Sequence, residues 1–136
     1  MTQHPLKTSL LCCVSAISFT ACSTLSTQSN ITQPLQQVKN IGATPSTQGN
    51  IAKLIKHDHH CLIEFTGYFE GGQAVERWVF NQHGLISANS TTQYYKDKIL
   101  GQPAIATAFD VQDATAQANF QKLQSNFSAS NLAQCH

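Results

Sequence analysis

Apolar and polar positions alternate from Cys61 onward, with Cys61, Ile63, Phe65, Gly67 and Phe69 on one side and Leu62, Glu64, Thr66, Tyr68 and Glu70 on the other. A period of two predicts a half-buried strand. The run Gln73 to Phe80 repeats it, and Gly71-Gly72 between the two runs supplies the positive-φ residues that a two-residue hairpin turn needs. A turn on those glycines sets Glu70 opposite Gln73, Phe69 opposite Ala74, Phe65 opposite Trp78 and Ile63 opposite Phe80. The last six form one apolar face. The other face, with Glu64, Thr66, Tyr68, Val75, Arg77 and Val79, is mixed and wettable. A slip of one residue would invert the two faces, so the pattern fixes the register. Asn81-Gln-His-Gly84 is a second turn signal, and the polar, β-compatible run Leu85 to Thr92 predicts a third strand at the sheet edge.

Helical periodicity governs both flanks. Asn50 is a suitable N-cap for a short helix, Ile51 to His57, with Ile51, Leu54 and Ile55 on one side. Tyr94 to Leu100 suits either a continuation of the third strand or a loop closed by Gly101-Gln-Pro103. Ala104 to Phe109 suits a short strand or the start of a helix. From Val111 to Phe127, Ala116, Phe120, Leu123 and Phe127 step by four, three and four, the stripe of an amphipathic helix with Asp110 as N-cap. Such a helix is about 25 Å long, near the length of the hairpin strands, and so covers their apolar face. The expected fold is α+β: a small antiparallel β-meander of three to four strands, covered on one face by a C-terminal helix.

The N-terminal part has a different character. Residues 8–21 are small and apolar, too short for a permanent bilayer span and placed like a signal-peptide core. They end in Phe19-Thr20-Ala21-Cys22. Thr20, Ala21 and Cys22 match the lipobox of bacterial lipoproteins, with Phe19 where an aliphatic residue is usual. The segment thus resembles a lipoprotein leader. That resemblance implies cleavage before Cys22, a lipid (palmitate-bearing) anchor on it, and, with Ser23 next, sorting to the outer membrane facing the periplasm. The other reading is an ordinary signal peptide cut after Ser23, giving a soluble periplasmic or secreted product. From Cys22 to Asn50 the chain is rich in Ser, Thr, Gln and Asn and is broken by Pro34 and Pro45, the composition of a disordered tether. The organisation expected is a signal peptide over 1–21, an anchored tether over 22–50 and a small domain over 51–136.

Charge excludes one class of partner. The chain has eight Lys and Arg against seven Asp and Glu; loss of the leader removes Lys7 and leaves the two balanced. No basic stripe marks a nucleic-acid or anionic-lipid surface. Beyond the leader and Cys22, two cysteines remain, Cys61 and Cys135. In an exported chain the even count predicts a disulfide between them.

Candidate chemistry is sparse. His57-Asp58-His59-His60 beside Cys61 has ligand types for zinc or copper, and His83 and His136 would add to it only if the fold brought them near. The spacing matches no metal motif, and a polar strand start is the simpler reading. No cofactor is expected. Glu76 lies on the apolar face beside Trp78, either at a frayed core edge or in a pocket where its pKa would rise. No nucleophile elbow, phosphate loop or dinucleotide fingerprint is present. The pattern therefore favours a non-enzymatic envelope accessory module. It would be anchored to the membrane and bind an envelope protein or cell-wall partner by strand addition at the polar third strand, where Ser87, Asn89 and Thr91 are the candidate edge. The alternatives are a small-ligand or metal-binding module on the His57–Cys61 cluster and an enzyme inhibitor.

Overall fold

Strand pairing begins well before the hairpin. A computed structural model describes residues 33–42, 46–104 and 106–136; the leader, Cys22 and the first part of the expected tether lie outside them. The described residues form one curled antiparallel sheet. Its strands are β1 (Gln36–Lys39), β2 (Gly49–Lys56), β3 (Cys61–Phe69), β4 (Gly72–Asn81), β5 (Gly84–Lys96), β6 (Ile99–Leu100) and β7 (Thr107–Ala108). The first six lie side by side in chain order, and β7 returns to pair with the middle of β5. The fold is thus a meander with a short C-terminal helix, but with more strands than the three to four predicted.

The largest correction is β2. Ile51, Leu54 and Ile55 fit a helical side, yet the same residues also alternate, and the partner strand decides between the two periods. Pairing runs unbroken from Gly49 opposite Tyr68 to Lys56 opposite Cys61. It buries Ala52 and Leu54 completely on the inner face, while Ile51, Lys53 and Ile55 point outward. A ladder of that length and two β-branched residues outweigh helix propensities of only tenths of a kcal/mol per residue. Asn50 caps no helix. It is buried, its side chain accepting from Ile41 N (2.9 Å) and donating to Ile41 O (2.8 Å) and Thr47 Oγ1 (3.1 Å). Those bonds hold the β1–β2 return in place. β1 itself falls inside the expected tether: Gln36 pairs with Leu54, and Leu35 and Val38 pack on the core.

The β3–β4 hairpin is displaced by two residues from the predicted pairing. Phe69 faces Gly72, Ile63 faces Trp78 and Cys61 faces Phe80, so the turn is Glu70-Gly71. An even shift keeps every side chain on its predicted face. The cause is Gly72, which lies within the ladder against β5. A Cβ there would collide with the carbonyl oxygen of Gln93, so glycine is used for close approach rather than for the turn. Between β4 and β5, Val79 faces Ser87 but Phe80 faces Leu85. Ile86 is the extra residue of a bulge, which accounts for its half-exposed side chain.

Helix α1 (Ala114–Gln124) is shorter than the predicted 111–127. Asp113, not Asp110, is its N-cap, its Oδ2 accepting from Ala116 N at 3.0 Å. Asp110 instead shapes the preceding turn by accepting from Gln112 N at 2.9 Å. The apolar stripe behaves as predicted: Ala116, Phe120, Leu123 and Phe127 are all buried against the sheet. The Phe120 ring stacks on Trp78, with centroids 6.2 Å apart, and meets Phe80 edge-on at 5.2 Å. A short helix, α2 (Ala129–Leu132), and a 3-10 turn then carry Cys135 back to the start of β3. The sulfurs of Cys61 and Cys135 lie at bonding distance, 2.06 Å.

Candidate functional site

A meander gathers its turns at two ends, and here the ends differ in chemistry. At one end, His57 N donates to His60 O at 2.9 Å and closes a turn on Asp58-His59. The rings of His57 and His60 stack beside it, centroids 4.8 Å apart and 23° from parallel. The β4–β5 turn lies at the same end, where His83 N donates to Asn81 Oδ1 at 2.8 Å. The disulfide adds a third piece. Cys61 follows His60 and Cys135 precedes His136, so one bond fixes the backbone next to both histidines, with the cysteine Cα atoms 5.5 Å apart. His57, His59, His60, His83 and His136 consequently line one recess of about 260 Å³, together with Lys56 and Asp58. Five of the six histidines of the chain meet there. Among the described residues, no three His, Cys, Asp or Glu side chains already stand as a metal cage.

The opposite end is apolar. Tyr68, Tyr94, Tyr95, Ile99 and Leu100 are exposed there, five of the six large exposed apolar side chains among the described residues. Phe69 meets Tyr94 edge-on at 6.0 Å. The β5–β6 arm extends this surface through the turn Asp97-Lys98, whose φ angles of 51° and 65° have the sign that a primed hairpin turn demands.

The expected docking edge is already paired. Ser87, Asn89 and Thr91 lie on β5, but Asn89 faces Ala108 and Ser90 faces Thr107 of β7. Phe109 N donates to Ala88 O (2.9 Å), and Ala104 N donates to Thr92 O (3.1 Å). Ala104 and Thr107 to Phe109 thus occupy part of the edge that a partner strand would need.

Glu76 sits on the inner face opposite Phe65, not Gly67 as the predicted register would place it. Its Oε2 accepts from the indole Nε1 of Trp78 at 3.0 Å. Burial pushes the carboxyl above the ordinary glutamate range, and the indole donor pulls it partly back. The group borders a cavity of about 410 Å³ between β4 and the start of α1, with Trp78, Phe109, Asp110, Asp113 and Asn119 among its walls. On the outer face Glu64 lies between Arg77 at 3.3 Å and Lys53 at 3.9 Å. These are solvent-exposed pairs worth under about 1 kcal/mol each, and they carry no chemistry.

No helix among the described residues is long and apolar enough to cross a membrane. Compared with protein-family models, curated proteins and solved structures, the chain matches none.

Proposed function

We propose that this protein is a membrane-tethered, non-enzymatic accessory module of a bacterial envelope. Lipid on Cys22 holds it, and it docks a protein partner through the apolar end of its sheet. The observation that carries the reading is that Tyr68, Tyr94, Tyr95, Ile99 and Leu100 are all exposed at one end of the sheet, with Tyr95 and Leu100 cross-strand partners on the same face. Single exposed apolar residues are ordinary, but a contiguous group marks an interaction site, and tyrosine is enriched at such sites because a stiff ring gives large contact area at low entropic cost. The lipobox-like run Phe19 to Cys22 supports the tether, and Ser23 supports the outer membrane facing the periplasm. The surface at Tyr94–Leu100 replaces the β5 edge as docking site, because Ala104 and Thr107 to Phe109 already bond along part of that edge.

Photo-crosslinkers placed at Tyr95 and at Ser87 in intact cells test the docking. An adduct with a defined protein from position 95, and none from position 87, is the expected result. Absence of any adduct from 95 would remove the docking claim. Incorporation of labelled palmitate, lost in Cys22→Ser, tests the anchor separately.

A further inference from the structure

The histidine recess is remote from the apolar docking surface and has chemistry of its own. We infer that it binds one first-row transition-metal cation, Zn2+, Cu2+ or Ni2+, with His57 and His60 as the first ligands and His136 as a ligand that the disulfide brings in.

Neutral imidazole is a good ligand for all three ions. The recess holds five imidazoles and the carboxylate of Asp58, with Lys56 the one fixed cation among the described residues of its walls. Structural need does not explain so many histidines there. His57, His59, His83 and His136 are exposed and His60 is half-buried, so none fills the core. The two turns that carry four of them are closed by backbone donors, not by imidazole nitrogens. The recess volume, about 260 Å³, accommodates an ion with several waters.

His57 and His60 start the site because they flank a two-residue turn and their rings already lie together, 4.8 Å between centroids. Stacked rings do not share an ion, so binding turns them about their side-chain torsions to aim one nitrogen each at a common point. Exposed side chains make such rotations in picoseconds to nanoseconds. The metal therefore selects an arrangement that the side chains sample by rotation, and no ready-made cage is required. The cysteine sulfurs are bonded to each other, so the available ligands are nitrogen and oxygen. The bond also decides the third ligand: it ties the residue before His136 to the residue after His60, and removes most of the chain entropy that bringing His136 to the recess would otherwise cost.

The test is calorimetric titration of the intact, disulfide-bonded protein, purified without a histidine tag. ZnCl2, CuCl2 and NiCl2 are the probes, and MgCl2 and CaCl2 the controls. One ion per chain with micromolar affinity for at least one transition metal, and no heat from the controls, is the expected result. His57→Ala/His60→Ala should weaken binding by at least about tenfold, the least that loss of even an outer-shell partner costs a metal site. His136→Ala should weaken it in the same direction. These positions are exposed or half-exposed, and circular dichroism checks that each variant keeps its sheet. With Cu2+, nitrogen hyperfine structure in the electron paramagnetic resonance spectrum should report imidazole ligands and diminish in the double variant. Failure of all three ions to bind below millimolar concentration, or binding unchanged in the double variant, overturns the site. Binding unchanged in His136→Ala overturns the role given to the disulfide.

Discussion

Glu76 is a carboxylate set on the inner face of the sheet beside the one tryptophan. Its carboxyl is pushed above the ordinary range by burial, against the smaller opposing effect of the Trp78 indole donor. A carboxyl with a raised folded-state pKa binds its proton more tightly in the native chain than in the unfolded one. Its contribution to stability is therefore full below the unfolded pKa and is lost as pH rises through the folded pKa. Above its folded pKa the ionised group works against the fold. Glu76→Gln keeps an oxygen to accept from the indole and has no charge to bury. This variant should show a higher urea midpoint than the parent at neutral pH, and the two should converge once the parent's carboxyl is protonated. A midpoint lower than the parent's at neutral pH would mean that the charge itself holds the cavity wall together. The chain has one tryptophan, so indole fluorescence follows the same titration directly.

At the scale of elements, the covering layer is held to the sheet by its apolar stripe, by hydrogen bonds from Ser128 N (2.9 Å) and Asn131 Nδ2 (3.0 Å) to Gln36 Oε1 of β1, and by one covalent bond. Phe120 packs on Trp78 and Phe80, and beyond α1 the chain turns back to bond Cys135 to Cys61. The cysteines are 74 residues apart in sequence. In the chain-entropy account, closing such a loop stabilises by about 4 kcal/mol, out of a total near 5–15 kcal/mol for a domain. Replacing both cysteines with alanine should thus lower the thermal midpoint by well over about ten degrees, and an unchanged midpoint would show the cover to be held by its noncovalent contacts alone. This bond, the β3 and β4 faces, the start of β5 and the α1 stripe were legible in sequence because each is a local pattern or a pairing with one solution. What was hidden depended on a distant neighbour. Ile51, Leu54 and Ile55 satisfy both periods until β3 lies beside them. Gly72 looks like a turn residue until the Gln93 carbonyl is placed against it. Polar Ser87 to Thr91 looked like an open edge because Thr107-Ala108 carries too little pattern to announce itself as the strand that fills it. The histidine recess was half legible: the cluster at 57–60 is contiguous, whereas His83 and His136 join it only through the aligned turns and the disulfide.

Over the whole molecule, the two candidate surfaces occupy opposite ends of the same strands. Cys61 begins β3 at the histidine end and Phe69 finishes it beside Tyr94, eight residues on, or about 26 Å at a strand's rise. Between them the sheet is close-packed on its inner face, with Leu54, Ile63 and Trp78 almost wholly buried. Sites that far apart, sharing no partner residue, should be energetically independent unless the sheet moves between two discrete arrangements. Tyr95→Asp should therefore abolish partner capture at the apolar end and leave zinc uptake by the recess unaltered. His57→Ala/His60→Ala should do the reverse. Both variants keep the buried face intact, so both should melt as the parent does. If metal instead changes capture, or the charge at position 95 changes metal affinity, the strands must shift in register or twist as the ligand binds. The short β6 pairing at Tyr95 and Lys96, and not the ladders of β3 with β2 and β4, is the place to look for that shift: it is two residues long, and both residues of β6 are exposed. Hydrogen exchange at Ile99 and Leu100, compared with Ile63 and Trp78 with and without zinc, would show whether the arm opens on its own or only with the sheet.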